Sequence, residues 1–156
     1  MSDSEKSKML AKLSKAHGNL KETIKGKNVE VIVYSEANWR IRDILGHIAT
    51  WNRETVKSID AFMSGDSYII SDLDDDESDF NESAVMEQRK MSNDELLIDW
   101  EKSTTEFLDA IGKVPHEKFS SEMIFPWGDE TGSASLMMKY MIEHVDEHRV
   151  EIEKVL

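Results

Sequence analysis

The chain has 156 residues, of which 39% are hydrophobic and 33% are charged, and its net charge is −13. This composition predicts a globular protein that folds as a single domain over residues 1–156, and it excludes a disordered chain. The acidic balance disfavours binding to the phosphate backbone of nucleic acids. Because the chain has no cysteine, it has neither disulfides nor thiolate ligands for a metal ion.

The sequence contains no apolar run of the roughly 20 residues that a membrane-spanning helix needs. Its first residues also lack the apolar core of a secretory signal. We therefore expect a cytoplasmic protein with no membrane partner. Only two prolines and seven glycines interrupt the chain, so helices should dominate the fold.

The first helix is predicted over residues 2–24, where apolar side chains recur at steps of three and four. The members of this stripe are Met9, Leu13, Ala16, Leu20 and Ile24. Ser2, Asp3 or Ser4 is expected to cap the helix start, and Gly26 to end it. The following β-branched run alternates like a strand but has no evident partner, so residues 27–38 are predicted to form an extended crossover.

The second helix is predicted over residues 39–62, with Asn38 as its cap and Gly65 beyond its end. Its broad apolar stripe consists of Ile41, Ile44, Leu45, Ile48, Trp51, Thr55, Ile59 and Phe62. His47 lies beside this stripe, near the edge that should be buried. A buried imidazole needs a partner, which makes His47 a candidate ligand.

The acidic run at residues 72–79 raises the question of a calcium site. An EF-hand loop needs glycine at its sixth position. In a loop that starts at Asp72 or Asp74, the sixth residue is Glu77 or Asp79 instead. The run is therefore predicted to be a flexible acidic loop.

Two further long helices complete the predicted fold. Residues 81–90 are either a short helix or the beginning of the third long helix, which starts clearly at the capping box of Ser92 and Glu95. Gly112 and Pro115 end that helix. Residues 119–132 are predicted to be a long irregular link with an aromatic centre, and Ser133 is predicted to cap the last helix. Four amphipathic helices with long connections predict an all-α four-helix bundle.

The last helix carries His144 and His148, which lie one turn apart and therefore point the same way. In a bundle, these two rings and His47 could converge as three imidazole ligands with coordination positions left open, as in catalytic metal sites. Nickel, zinc, iron and manganese all suit such a donor set. The alternative is that neighbouring carboxylates bond to the rings and the role is purely structural. The candidate carboxylates are Asp43, Glu143, Asp146 and Glu147.

Three segments of the sequence form a recognisable set: the second-helix pattern Trp39-x-x-x-Asp43-x-x-x-His47-x-x-x-Trp51, the late Pro126-Trp127-Gly128, and His144-x-x-x-His148. Together they resemble the DinB/YfiT-like superfamily. The resemblance implies a four-helix bundle that is often dimeric, so a homodimer is expected. It also implies that His47, His144 and His148 hold a divalent metal ion.

The same resemblance implies a function. Better-understood members are thiol-dependent transferases and isomerases that use mycothiol, bacillithiol or a similar cofactor, whose thiol pKa the metal lowers. A cysteine-free chain is compatible with a thiol that arrives with the cofactor. We therefore expect an S-transferase or hydrolase that acts on electrophilic small molecules. The alternative is a non-catalytic stress or resistance protein that binds a small molecule or metal, including the metal-independent, colibactin-resistance (ClbS-like) branch.

Four residues around the expected metal site are candidates for a further role. Trp51 is either core or a pocket wall for the cofactor, and Trp127 is a candidate to close the pocket mouth. Arg149 could bind an anionic substrate or a cofactor carboxylate, or it could pair with Glu153 on the surface. Asp43 could orient His47 or fix the helix start, or it could be an exposed carboxylate favoured by the helix dipole.

Overall fold

A computed structural model of the chain describes residues 2–71, 73 and 77–156, with side chains described from Glu5 onward. Over these residues the α-helices are α1 (Ser2–Ile24), α2 (Ile41–Met63), α3 (Ser78–Gln88), α4 (Asn93–Gly112) and α5 (Ala134–Glu153). A 3-10 turn covers His116–Lys118. The side chains of the predicted caps at residues 2–4 lie outside the described part, as do residues 72 and 74–76, which are half of the acidic run at residues 72–79. The last two residues of that run, Ser78 and Asp79, belong to α3 and not to a loop.

The four long helices pack as a bundle, which confirms the predicted fold class. α2 packs mainly against α4, and α1 packs mainly against α5. α3 is a separate short helix that lies against α2, so the region at residues 81–90 is not the beginning of the third long helix. No helix in the described part of the chain is long and apolar enough to cross a membrane.

The first prediction that the structure corrects is the isolated crossover. Strand β1 (Ile32–Tyr34) pairs antiparallel with β2 (Trp39–Arg40), so a partner exists within a few residues. The predicted helix start at residue 39, with Asn38 as the cap, was also wrong. Asn38 has a φ of 56° in the turn of this hairpin, and the extended Arg40 precedes α2 instead.

The second correction concerns the link between α4 and α5. Strands β3 (Glu122–Ile124) and β4 (Thr131–Ser133) form an antiparallel hairpin within the segment that was predicted to be irregular. Gly128 has a φ of 96°, a conformation that side chains other than glycine rarely adopt. This turn holds Trp127 and Glu130 beside the bundle.

The predicted helix ends agree with the structure at most positions. The Ser92 hydroxyl accepts from the Glu95 backbone N–H at 3.1 Å, which confirms the capping box of α4. The Ser133 hydroxyl accepts from the backbone N–H of Leu136 and caps α5. Gly26 and Gly65 follow α1 and α2 in left-handed conformations. These local signals act over three or four residues, which is why the sequence shows them directly.

The core consists of two adjoining clusters of buried side chains. One contains Trp51, Phe107 and Met141, and the other contains Ile44, Trp100 and Val145. On α2 and on α5, the neighbouring residues that belong to different clusters lie about one helical turn apart. His47 and His144 occupy this junction between the two clusters.

Candidate metal centre and adjoining cavity

Three histidines from two facing helices converge at the junction of the core clusters. His47 lies on α2, and His144 and His148 lie on α5. The Nε2 atom of His144 lies 2.9 Å from Nε2 of His47 and 3.0 Å from Nε2 of His148. One ring nitrogen from each residue lies within 4.8 Å of the other two. The structure thus brings together the three residues that the sequence proposed as ligands.

Burial keeps the three imidazoles neutral. It lowers the pKa of His144 to about 3 and that of His148 to about 4. The pKa of His47 also lies well below its ordinary value, because the ring is buried and faces the other two histidines. His144 and His148 keep some exposed area, but their rings are enclosed enough for desolvation to dominate. A neutral imidazole has one nitrogen lone pair free to bind a cation.

The hydroxyl of Tyr34 makes a further contact with this site. It lies 2.8 Å from Nδ1 of His148, on the opposite side of the ring from the Nε2 atom that faces His144. A hydrogen bond at Nδ1 fixes the tautomer and orientation of a ligand histidine. Sequence reasoning missed Tyr34, because its position depends on the β1–β2 hairpin. The ring of Trp39 from the same hairpin lies 5.2 Å from that of His47.

The donor set fits a divalent metal ion. Two nitrogens that bind one metal ion at about 2.1 Å lie about 3.0 Å apart in octahedral and about 3.4 Å apart in tetrahedral geometry. The two shorter Nε2 separations, 2.9 and 3.0 Å, are close to these values. The contacts of these rings include the two Nε2 separations and the approach of the Tyr34 hydroxyl to Nδ1 of His148. Three neutral, electron-rich nitrogens lie close together, and a cation shared among them would stabilise this arrangement.

A cavity of about 390 Å³ adjoins His47 and His144 of the three histidines. It is bordered by α2, by α5, by the start of α3 and by the turn of the β3–β4 hairpin, and it opens to solvent. Its lining residues are His47, Trp51, Glu77, Asn81, Trp127, Glu130, Tyr140, Met141 and His144. This volume falls within the range of sites that bind small molecules.

Two of the three residues predicted to contact a cofactor line this cavity. Trp51 is buried in the core, and its indole N–H donates to Asn81 Oδ1 at 2.8 Å, so it is both core and cavity wall. Trp127 comes from the hairpin turn, and its ring centroid lies 6.3 Å from that of Trp51. Arg149 is elsewhere: its guanidinium pairs with Glu153 and with Asp146, and it is not among the lining residues.

Asp43 fixes the start of α2. Its carboxylate accepts from the backbone N–H of Arg40 at 2.9 Å and pairs with Arg89 at 3.2 Å. The residue is only 3% exposed, so the alternative of an exposed carboxylate is wrong. Asp43 therefore joins the beginning of α2 to the end of α3, next to the turn that carries His47.

Comparisons with known proteins show that this chain resembles one solved structure in its fold. No profile of a known protein family matches the sequence, and no curated protein matches it. The crystal structure of the mycothiol-dependent maleylpyruvate isomerase superposes with a TM-score of 0.76 at 14% sequence identity, covering 94% of this chain and 60% of that chain. This chain therefore shares the fold of the part of that enzyme on which it superposes. The present chain thus spans less than two thirds of the isomerase.

Proposed function

We propose that this protein binds a divalent metal ion through His47, His144 and His148 and uses it in a reaction of an electrophilic small molecule. The reaction class that we propose is S-transfer from a low-molecular-weight thiol, or hydrolysis. The observation that carries the proposal is the convergence of three neutral imidazole nitrogens at the wall of a cavity of about 390 Å³.

The residues of the chain have separable roles in this proposal. The three histidines would hold the metal, and Tyr34 would keep the Nε2 lone pair of His148 directed at it. Trp51 and Trp127 would enclose the reactants and exclude water. A bound divalent metal lowers the pKa of a thiol or of water, and so supplies a nucleophile at neutral pH.

A thiol cofactor is compatible with the composition of the chain and is supported by one comparison. The chain has no cysteine of its own, so any thiol must come from solution. The structurally similar isomerase is named as mycothiol-dependent, and we extend that dependence to this chain as part of the proposal. Mycothiol and bacillithiol are therefore the thiols to test, with nickel, zinc, manganese and iron as the metals. We further propose that the chain is a single domain, that it forms a homodimer and that it is cytoplasmic.

The first test is the metal content of untagged protein, measured by elemental mass spectrometry after reconstitution with each metal. We expect about one metal ion per chain in the wild type and almost none in the double variant His47→Ala/His144→Ala. The matched control is His116→Ala, which removes an exposed histidine outside the triad. Circular dichroism checks that the variants stay helical. Equal metal content in the double variant and the wild type would refute the ligand assignment.

The second test separates an enzyme from a binding protein. Metal-loaded protein is incubated with mycothiol or bacillithiol and an electrophile such as 1-chloro-2,4-dinitrobenzene, and the thioether product is quantified. We expect product formation that needs the metal and is lost in His144→Ala. Ligand binding without any product, across the metals and thiols, would favour the non-catalytic alternative.

A further inference from the structure

Glu130 is a carboxylate that aromatic donors hold at the wall of the cavity. Its Oε1 accepts from the indole N–H of Trp127 at 2.9 Å, and its Oε2 accepts from the hydroxyl of Tyr140 at 2.7 Å. This bond to Glu130 raises the pKa of Tyr140, so the phenol stays protonated and remains a donor. A carboxylate has about four acceptor positions, and these two bonds leave capacity for a ligand.

Aromatic rings line the cavity next to this carboxylate. The ring centroid of Trp127 lies 6.1 Å from that of Tyr140 and 6.3 Å from that of Trp51, and all three residues line the cavity. The face of an aromatic ring attracts cations, and sites that bind ammonium groups combine several such rings. Together with Glu130, these rings make a wall that suits a positive group and disfavours a negative one.

The charges near the cavity also favour a positively charged ligand. Among the described residues, the lining includes two glutamates but neither lysine nor arginine. The sequence has no lysine, arginine or histidine between residues 64 and 88, the segment that contributes Glu77 and Asn81 to the lining. Arg149, the candidate for binding an anion, is paired with carboxylates outside the cavity. No described cation in this wall is therefore placed to receive a carboxylate ligand.

We propose that the cavity binds small molecules that carry a protonated amine, with Glu130 as the acceptor and Trp51, Trp127 and Tyr140 as the aromatic walls. The inference names the substrate class of the function proposed above and rests on it for the identity of the reactive end. Tyr140 and His144 lie one turn apart on α5. An amine bound at Glu130 would therefore extend its other atoms towards the histidines.

The test compares three probes of similar shape and different charge: 2-phenylethylammonium, 2-phenylethanol and 3-phenylpropanoate. Binding is followed through the indole N–H signals in NMR spectra of metal-loaded and metal-free protein. Trp51 and Trp127 line the cavity, whereas Trp100 lies in the core away from it and serves as an internal reference. We expect the ammonium probe to shift the signals of Trp51 and Trp127 and to bind about tenfold more tightly than the alcohol.

Two variants identify the carboxylate responsible. Glu130→Gln keeps the side-chain shape but removes the charge, and it should abolish the preference for the ammonium probe over the alcohol. Glu122→Gln makes the same charge change on the same hairpin, at an exposed residue that does not line the cavity, and it should keep the preference. Tighter binding of the propanoate, or an ammonium preference that survives in Glu130→Gln, would overturn the inference.

Failure of this inference is distinguishable from failure of the proposed function. The metal content of the same samples is measured in parallel. An ammonium preference that depends on Glu130 in protein that takes up no metal would support the inference and refute the metal-dependent function. Stoichiometric metal with no ammonium preference would overturn the inference and leave the metal site intact.

Discussion

The histidines of the bundle occur in two contrasting surroundings. His17 on α1 has its Nε2 atom 2.6 Å from a carboxylate oxygen of Glu101 and its Nδ1 atom 3.3 Å from the hydroxyl of Thr104. Its ring also lies 4.6 Å from that of Trp100. The ring of His144, by contrast, faces two other imidazoles.

This difference separates a structural histidine from a candidate ligand. Carboxylate pairing, the structural alternative for the triad, is what His17 shows. Of the acidic neighbours that could have bonded to the triad, Asp43 bonds to Arg89 and Asp146 pairs with Arg149. Cations thus engage these two carboxylates, and Nε2 of His144 faces the other two imidazoles instead.

The two surroundings should differ most when a chelator removes the metal from the metal-loaded protein and Tm is measured. At a metal concentration of about 1,000 Kd, binding stabilises the folded state by about 4 kcal/mol, so removal of the metal should lower Tm by roughly 10 °C. The shift should vanish in His144→Ala and persist in His17→Ala, as measured by calorimetry with and without chelator. A shift retained in His144→Ala would place the metal elsewhere.

Next in size is the pH dependence of the metal-free protein. Unfolded histidines titrate near pH 6.5, whereas the folded pKa is about 3 for His144 and about 4 for His148. Between these pH values the unfolded chain therefore binds more protons than the folded chain. The contribution of these rings to the free energy of unfolding is full above about pH 6.5 and falls as the pH drops towards 4. Each histidine contributes up to about 1.4 kcal/mol per pH unit. Urea unfolding between pH 7 and pH 5 should give a shallower slope for His144→Gln, and an unchanged slope would contradict the burial of this ring.

A smaller effect is expected for Tyr34→Phe, which removes the hydrogen bond to Nδ1 of His148 and keeps the aromatic ring. Loss of such a supporting bond costs about tenfold or more in metal affinity. Competition with a chromophoric chelator measures this change. Tyr140→Phe is the control, because its hydroxyl bonds to Glu130 instead of a histidine. Equal affinities for the two variants would show that Tyr34 does not support the metal site.

The smallest effect should come from a change in the surroundings of His17. Glu101→Gln weakens the contacts with His17 and Lys21, which lower the pKa of Glu101. Because Glu101 is partly exposed, solvent screens these charges, and we expect a loss of only about 0.5–1 kcal/mol in the free energy of unfolding. Metal affinity should not change. A fall in metal affinity would mean that the two surroundings are coupled.

Part of the site was accessible from the sequence. The four-residue spacing of His144 and His148 placed both rings on one face of α5, and the position of His47 beside the apolar stripe of α2 placed it near the core. Their meeting could be inferred only by assuming a bundle, because His47 and His144 are 97 residues apart. Tyr34 is 114 residues from His148 and belongs to a hairpin that the sequence did not indicate.

The hairpins were missed because their strands are only two or three residues long. The run at residues 29–34 did alternate like a strand, but the two residues of its partner β2 are too few to show an alternation of their own. The predicted helix start at residue 39 was wrong for the same reason, since Trp39 and Arg40 belong to a strand that leads directly into α2.

The sequence by itself therefore determined the four long helices, the caps of α4 and α5 and the spacing of the histidine pair, because these depend on residues within one or two turns of each other. The tertiary structure decided which side chains meet. It separated Arg149 from the cavity, placed Tyr34 on His148, and aligned Glu130 with Trp127 and Tyr140. Such contacts depend on how distant segments pack, and the periodicity of a single helix contains no information about its neighbours.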